Sequence, residues 1–322
     1  MTLRLGLIGA GWIAGLHLEA LGRLGRTELV GVVSGTGRGA GVAVERWGGV
    51  AFDRPEAMLD AVRPDVVYVC VPPFRAVAIG ELLVDRGIPF LTEKPLAAAD
   101  GVGPARLAAA IEQAGLVVGV GYHLRALDIL PQIRARLAAN PPGLVVAQWL
   151  GDTPSPAWWG LADQGGGQVI EQATHLFDLA RHLLGEAEVV GAVSNRGVSP
   201  RDGVEVADAT AAVLRFERGA IGSFATTRRL AASAISVELA SDGLLTTLTK
   251  GSLGQGDWHA RFESVDDLTE LHAERDPYEI QAAAFLDAVE AGDPARLLSS
   301  YADALLTDRL TRAVVAATGA PG

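Results

Sequence analysis

The start of the chain combines an apolar strand pattern, a glycine turn and a helical pattern in that order. Residues 3–8 form the apolar run, Gly9-Ala10-Gly11 is the turn, and a helix is predicted from residue 12 to about residue 24. Small residues at this spacing mean little alone, because glycine and alanine are abundant here. Between a buried strand and a helix, however, the turn is typical of a dinucleotide-binding βα unit. The alternative is an ordinary βα turn of an α/β protein.

Five residues of this turn are predicted to contact the cofactor. Gly9 permits the tight turn, Gly11 lets the backbone approach a pyrophosphate, and Ala14 lets the helix pack closely on the strand. The free N–H groups of Trp12 and Ile13 lie at the positive end of the helix dipole, which attracts phosphate groups.

The second predicted strand ends near Val33 without the acidic residue that binds the ribose 2′-hydroxyl of NAD in such folds. Ser34 follows it, and Thr36 and Arg38 stand close behind. A carboxylate would repel a 2′-phosphate, whereas hydroxyl groups and a guanidinium can hydrogen-bond to one. We therefore predict that NADP(H) is favoured over NAD(H). The alternative is a loop of small residues with an exposed arginine and no ligand.

Length and composition favour two folded domains. The 322 residues can bury two cores, and a hydrophobic content of 49% excludes a disordered chain. No apolar run approaches membrane-spanning length, and a net charge of −11 without clustered Lys and Arg argues against a nucleic-acid partner. Cys70 lies in an apolar run and is the single cysteine, so no disulfide bond can form within the chain. Because the first strand is predicted to begin at residue 3, we expect no signal peptide and a cytoplasmic location.

Strand and helix patterns alternate in the first part of the chain and predict a doubly wound parallel sheet. The predicted strands cover residues 3–8, 28–34, 66–71, 88–92 and 116–121. Val71, Pro72 and Pro73 stand at the carboxyl end of the third strand, where ligands bind in such sheets. We therefore predict a dinucleotide-binding Rossmann domain over residues 1–123, with cofactor contacts at these three residues.

After about residue 123 the pattern changes to consecutive strands. Strands are predicted near residues 144–150, 187–196, 208–216, 219–228, 234–240 and 243–250, and helices near 126–138, 169–184, 277–291 and 299–317. Strands that follow one another without intervening helices predict a largely antiparallel sheet. We assign residues 124–322 to a second, α+β domain.

Glu93-Lys94-Pro95 follows the predicted strand 88–92, at the same edge of the sheet as the glycine turn. A lysine there can hydrogen-bond a substrate oxygen, and Glu93 can hold it or reach the cofactor. The alternative is a surface ion pair at a strand end, since such pairs are common and weak.

Residues 165–185 combine a run of three glycines with an amphipathic helix. At about 100° per residue, Glu171, His175, Asp178 and His182 fall within about 60° of one another, opposite the apolar face. Carboxylate and imidazole groups suit proton transfer near neutral pH. Two alternatives stay open: the solvated side of a helix and a metal site. We predict no metal, because no further Cys/His motif supports one.

Several segments in this order resemble the Gfo/Idh/MocA oxidoreductases, the relatives of glucose–fructose oxidoreductase, inositol dehydrogenase and a rhizopine-catabolism protein. The segments are residues 9–14 with His17, 93–95, 121–125, the helix with Glu171, His175 and Asp178, and the closing stretch 298–304. The resemblance implies a Rossmann domain and an α+β domain whose open sheet commonly makes oligomer contacts. It also implies hydride transfer between NAD(P) and a secondary alcohol of a sugar, inositol or related polyol.

By position, the resemblance implies that Lys94 hydrogen-bonds the reacting oxygen and that His175 exchanges the proton as general acid and base. Glu171 stands where the family usually has Asp, and it joins these two as a catalytic candidate. His123 and Ala76 stand where many members have Asn and His, respectively. His17 lies near the cofactor turn, and a structural hydrogen bond is its alternative role.

Trp158 and Trp159 precede the glycine run and can stack on a sugar face or belong to the core. The predicted substrate contacts are therefore Lys94, His123, Trp158, Trp159, Glu171 and His175. Together these features predict an NADP-preferring dehydrogenase for a carbohydrate-like alcohol or ketone, working as a homodimer or homotetramer. The alternatives are a non-catalytic nucleotide-binding regulator and an enzyme whose tightly bound cofactor serves internal redox in lyase, isomerase or glycosidase chemistry.

Overall fold

The computed structural model describes residues 2–35, 38–98, 101–197, 203–252 and 255–319. The chain divides into two compact units, each built from two stretches of sequence. The first unit comprises Met1–Ala126 and Asp276–Leu305, and the second comprises Leu127–Arg275 and Leu306–Gly322.

The first unit contains a parallel sheet of six strands in the order β3-β2-β1-β4-β5-β6. Its strands are β1 (Leu3–Ile8), β2 (Thr27–Val33), β3 (Val50–Phe52), β4 (Val66–Val69), β5 (Phe90–Thr92) and β6 (Val118–Val120). The helices between them are α1 (Trp12–Leu24), α2 (Arg38–Trp47), α3 (Pro55–Val62), α4 (Pro73–Asp85) and α5 (Val102–Ala114). The predicted doubly wound sheet is confirmed. The sequence pattern missed β3, because this strand is short and largely exposed.

The strands of the first unit are apolar throughout because both faces of the sheet are buried. Leu5 and Leu7 of β1 point into the core on one face, together with Tyr68. Ile8 and Phe90 point into the core on the other face. The unit therefore has one hydrophobic core on each side of the sheet.

The second unit is built on an eight-stranded sheet in the order β14-β13-β12-β11-β7-β10-β9-β8. Its strands are β7 (Leu144–Leu150), β8 (Ala187–Asn195), β9 (Ala209–Phe216), β10 (Ile221–Thr227), β11 (Ala234–Ser241), β12 (Leu244–Ser252), β13 (Gln255–Glu263) and β14 (Leu268–His272). All neighbours pair antiparallel except β7 and β10, which pair in parallel. The predicted largely antiparallel sheet is thus confirmed. The last two strands were not predicted, because charged residues and glycines interrupt their apolar pattern.

Helices cover one face of the second sheet. The described helices of the second unit are α6 (Leu130–Ala139), α7 (Gly167–Glu171), α8 (Thr174–Leu184) and most of α10 (Tyr301–Ala317), whereas α9 (Pro277–Ala291) belongs to the first unit. Phe177 of α8 stacks on Phe224 of β10, with 4.6 Å between ring centroids. Buried and exposed residues alternate along β9, so the opposite face of the sheet is open.

Helix α9 belongs to the first unit, although the sequence pattern assigned all of residues 124–322 to a single second domain. Phe285 of α9 makes an edge contact with Tyr68 of β4 at 5.6 Å. Arg23 of α1 donates to Glu279 at 2.9 Å, and Arg26 donates to Glu290 at 2.9 Å. The apolar face of an amphipathic helix does not indicate which sheet the helix packs against, so the sequence pattern could not assign α9 to a unit.

The helix predicted over residues 169–184 is two helices, α7 and α8. The N–H of Ala173 donates to the carbonyl of Gln168 at 2.8 Å, which widens the turn between them. The single predicted face therefore does not continue from Glu171 into α8.

Candidate active site

The turn after β1 requires glycine at its first position. Gly9 has φ +95°, and a Cβ atom there would overlap the carbonyl oxygen of Cys70. Its N–H donates to the carbonyl of Val33 at 2.8 Å, while the N–H of Cys70 donates to that of Ile8 at 2.7 Å. The chain therefore turns directly between the carboxyl ends of β2 and β4.

The start of α1 can receive an anion. A Cβ atom on Gly11 would meet no atom within 4 Å, so this backbone faces open space. The first turn of α1 contains no acidic residue and has no side-chain cap among the described residues, whereas Ala14 is packed in the core. Trp12 at the first position is 79% exposed, and Ile13 is half-buried. This arrangement fits the pyrophosphate of a dinucleotide, because N–H groups and the positive dipole end meet at the turn.

The segment after β2 brings Ser34 to the first turn of α2. The Ser34 Oγ atom lies 2.9 Å from the position a Cβ on Gly39 would take. Thr36 lies outside the described residues. Arg38 begins α2, but its side chain is also outside the description. The described residues that directly follow β2 are Ser34 and Gly35, and neither carries a carboxylate.

Residues 71–73 lie at the junction of β4 and α4, at the same edge of the sheet. Pro72 is the N-terminal cap residue of α4 and Pro73 is its first residue. Val71 and Pro72 are half-buried, and Pro73 is buried. These three predicted cofactor contacts therefore follow the strand next to β1, as expected for ligand-binding positions in a doubly wound sheet.

Glu93 forms a buried hydrogen bond with His17 of α1. The Nε2 atom of His17 lies 2.8 Å from Oε1 of Glu93, and the two side chains are 1% and 8% exposed. The other carboxylate oxygen of Glu93 accepts a hydrogen bond from the backbone N–H of Lys94 at 3.1 Å. A Cβ atom on Gly121 would lie 2.7 Å from Oε1, so the carboxylate rests on this glycine. Glu93 therefore fixes the backbone of Lys94, whose peptide bond to Pro95 is cis.

An aromatic cluster encloses His17. Its ring makes edge contacts with Tyr68 and Tyr278, each with 5.2 Å between centroids. His123 is half-buried and stacks on Tyr278 at 4.8 Å. Burial raises the pKa of both tyrosines and of Cys70, and the Glu93 carboxylate raises the pKa of Tyr278 further. His17 therefore has the structural role that was its alternative, as the partner of Glu93.

Glu171 and Trp159 are joined in the second unit. The Nε1 atom of Trp159 donates to Oε2 of Glu171 at 2.8 Å, and Trp159 is completely buried. A Cβ atom on Gly165 would overlap the carbonyl oxygen of Trp159, so the glycine run packs tightly on this loop. Trp159 is thus a core residue that anchors the loop, whereas Trp158 beside it is half-buried.

His175 lies at the start of α8 and is 4% exposed. Its ring stacks on that of Trp149 of β7, with centroids 5.8 Å apart and an angle of 17° between the planes. The imidazole of His175 is therefore buried against the indole of Trp149.

Asp178 and His182 do not belong to a solvated stripe. Asp178 is 0% exposed and accepts a hydrogen bond from the Thr307 hydroxyl at 3.0 Å. That hydroxyl in turn accepts one from Arg181 at 2.7 Å. His182 is half-buried and lies 3.4 Å from Arg134 of α6. The alternative of a solvated helix side therefore does not hold for Asp178, which fastens α8 to α10 inside the unit.

Within the part of the chain that the structure describes, no group of three or more His, Cys, Asp or Glu side chains could hold a metal ion. None of the described helices combines the length and apolar character needed to cross a membrane.

Two sequence profiles of one family match this chain. The profile described as "Oxidoreductase family, NAD-binding Rossmann fold" matches residues 3–122, and the "GFO/IDH/MocA C-terminal domain" matches residues 142–253. The chain belongs to the GFO/IDH/MocA oxidoreductase family. Its glycine turn and Lys94 lie in the NAD-binding match of this family, and Glu171 and His175 lie in the C-terminal match.

Individual proteins are similar to this chain over part or nearly all of its length. D-glucoside 3-dehydrogenase of Escherichia coli (strain K12) is 30% identical over 192 residues, which are 57% of this chain and 54% of the relative. The 3-ketoreductase KijD10 of Actinomadura kijaniata, solved with NADP and TDP-benzene, has a TM-score of 0.87 at 22% identity, covering 98% of both chains. UDP-N-acetylglucosamine 3-dehydrogenase GnnA of Acidithiobacillus ferrooxidans has a TM-score of 0.83 at 20% identity, also covering 98% of both chains. The two structures share the fold of this chain.

Proposed function

We propose that this family member is an NADP(H)-preferring dehydrogenase that transfers a hydride between the nicotinamide and a secondary alcohol or ketone of a carbohydrate. The observation that carries the proposal is the buried Glu93–His17 hydrogen bond. It joins the segment that contains Lys94 to α1, whose start fits the pyrophosphate of a dinucleotide. Support for the substrate class comes from the relatives, which include a D-glucoside 3-dehydrogenase and a UDP-N-acetylglucosamine 3-dehydrogenase.

In the proposed reaction, the bound nicotinamide supplies or accepts the hydride. The ammonium group of Lys94 donates a hydrogen bond to the reacting oxygen and stabilises the charge that develops on it. His175 accepts the hydroxyl proton during oxidation and returns it during reduction. Glu171 holds Trp159, and through it the loop that presents Trp158 to a sugar ring.

The use of lysine at position 94 supports a chemical role. Lys94 and Lys250 are the two lysines among 27 basic residues, the others being arginine. A surface cation at a strand end would be arginine by default in such a chain. An ammonium group is a compact point donor that suits a single reacting oxygen better than a planar guanidinium does.

NADP(H) is the proposed cofactor because Ser34 and Gly35, rather than a carboxylate, follow β2. Cofactor contacts are proposed at Gly9, Gly11, Trp12, Ile13, Ala14, Ser34, Thr36, Arg38, Val71, Pro72, Pro73, Glu93 and Lys94. Substrate contacts are proposed at Lys94, His123, Trp158, Glu171 and His175.

The second sheet supports a proposed homo-oligomer. Its open face carries exposed apolar side chains on β8, β9 and β10, namely Val193, Val213 and Ile221. Contiguous exposed apolar surface of this kind marks association sites. We expect a dimer in light scattering, and a monomer after Val193→Glu together with Val213→Glu. A cytoplasmic location is proposed on the basis of the single, buried Cys70.

The function is tested by absorbance at 340 nm with NADP+ and a panel of glucosides, inositols and nucleotide-linked hexoses. Turnover should fall about 10²-fold or more in Lys94→Ala and in His175→Asn. Lys250→Ala and His272→Asn are the matched controls and should leave turnover unchanged. Dinucleotide binding with no turnover on any sugar would favour a regulator, and a cofactor that co-purifies without exchange would favour internal redox chemistry.

A further inference from the structure

The guanidinium of Arg75 reaches the carboxyl end of β2 from α4. Its Nη1 atom lies 3.8 Å from the position that a Cβ on Gly35 would occupy. The backbone N–H of Arg75 donates to the carbonyl of Pro72 at 3.0 Å, within the first turn of the helix. Because β2 and β4 flank β1 in the sheet, this side chain extends past the end of β1, where the turn at Gly9 begins.

Arg75 has no carboxylate partner among the described residues. Its guanidinium lies over the ring of the neighbouring Phe74, at 5.8 Å from the centroid. Several other arginines of the first unit are paired with acids: Arg23 with Glu279, Arg26 with Glu290, Arg46 with Glu19 and Arg106 with Glu81. An exposed guanidinium that is directed at a loop without acids is a site for an anion.

We propose that Arg75 binds the 2′-phosphate of NADP(H), an inference that rests on the proposed function. In a doubly wound sheet the adenosine ribose lies at the end of the second strand, which is where the guanidinium of Arg75 points. A guanidinium can donate two parallel hydrogen bonds to a phosphate. The cation that selects the cofactor therefore comes from α4 and not from the loop after β2 that contains Ser34 and Thr36.

The competing role for Arg75 is stacking on the adenine ring, which NAD and NADP share. The two roles differ in the ratio of affinities. Loss of a phosphate contact weakens the binding of NADPH alone, whereas loss of a stacking contact weakens the binding of NADPH and NADH alike.

The test is a titration of the purified full chain with NADPH and NADH, followed by energy transfer from tryptophan to the reduced nicotinamide. Arg75→Ala should weaken the binding of NADPH by about 10- to 100-fold, the range for a lost charged hydrogen bond. It should leave the affinity for NADH within about twofold of wild type. Arg75→Lys should retain part of the preference. Arg106→Ala, an exposed arginine of the same unit, is the matched control and should change neither affinity.

Two further measurements separate the phosphate from the rest of the cofactor. In calorimetry, 2′,5′-ADP should bind wild type more tightly than 5′-AMP, and Arg75→Ala should remove that difference. Gly35→Asp places a carboxylate beside Arg75 and should reverse the preference toward NADH.

The outcomes distinguish this proposal from the proposed function. Equal weakening of both dinucleotides in Arg75→Ala, or no change in either, would overturn the role of Arg75 while leaving the dehydrogenase intact. A wild-type protein that binds neither dinucleotide would overturn both.

Discussion

Glu93 and His17 form a buried hydrogen bond of 2.8 Å that joins the segment after β5 to α1. The same carboxylate accepts the backbone N–H of Lys94. The helix whose start faces the cofactor turn and the residue proposed to bind substrate oxygen are therefore held by one side chain. Displacement of that carboxylate would move both.

Removal of His17 should destabilise the first unit. His17→Ala leaves the buried Glu93 carboxylate without its imidazole partner, and we expect the free energy of unfolding to fall by about 3 kcal/mol. Urea unfolding measures this change, with the exposed His272→Ala as the control. An unchanged midpoint in His17→Ala would contradict the structural role of the pair.

Stability should decline in alkali because of Tyr68. Burial raises the pKa of its phenol above the ordinary value of 10.0. The unfolded chain therefore loses this proton at lower pH than the folded chain, so the stabilising contribution is complete below about pH 10 and declines as pH rises further. Tyr68→Phe should reduce the slope of unfolding free energy above pH 10 by up to about 1.4 kcal/mol per pH unit.

At neutral pH the same substitution should cost little, because the Tyr68 hydroxyl has no hydrogen-bond partner among the described residues. Tyr301→Phe, in the other core of the first unit, serves as a comparison. Identical alkaline slopes in wild type and Tyr68→Phe would contradict the raised pKa.

The scarcity of lysine makes Lys94 observable by itself. Reductive methylation with ¹³C preserves the charge of lysine, and a chain with Lys94 and Lys250 should give two side-chain signals besides the α-amino group. We expect NADP+ to shift the Lys94 signal and to leave the Lys250 signal in place. Assignment uses Lys94→Arg and Lys250→Arg, and a shift confined to Lys250 would remove Lys94 from the cofactor site.

Glu171 should show a structural and a chemical effect that can be separated. Glu171→Gln can still accept the Trp159 N–H, whereas Glu171→Leu leaves that buried donor unsatisfied, at a cost of about 1–3 kcal/mol in unfolding free energy. If Glu171 also stabilises the His175 imidazolium, Glu171→Gln should shift the inflection of the pH–rate profile to lower pH. A stable Glu171→Gln variant with an unshifted profile would leave only the structural role.

Local patterns were sufficient for the parts of the fold whose signals are local. The strand, turn and helix at Gly9 were predicted because the turn geometry and the flanking apolar pattern lie within two dozen residues. The change from alternating helices to consecutive strands likewise revealed the second sheet. Short or interrupted strands such as β3 and β13 gave no such signal.

Long-range features were not predictable from one sequence. The single helix predicted through Glu171 and Asp178 did not include the wide turn at Ala173. Asp178 is buried and accepts a hydrogen bond from Thr307, which is distant in the sequence. Nothing in the sequence distinguishes Arg75, because it is the sheet order that brings this residue to the end of β2. His17 and Glu93 are 76 residues apart, and no spacing rule connects them.

The return of α9 to the first unit affects how the protein can be made and divided. Phe285 completes the core around Tyr68, so a ribosome must translate all of α9 (Pro277–Ala291) before the nucleotide-binding unit can close. Until then the nascent chain exposes an apolar face of a parallel sheet, a situation that invites chaperone binding. A fragment cut after residue 123 would keep this apolar face exposed. A fusion of residues 1–126 to 276–305 through a short linker should instead fold independently.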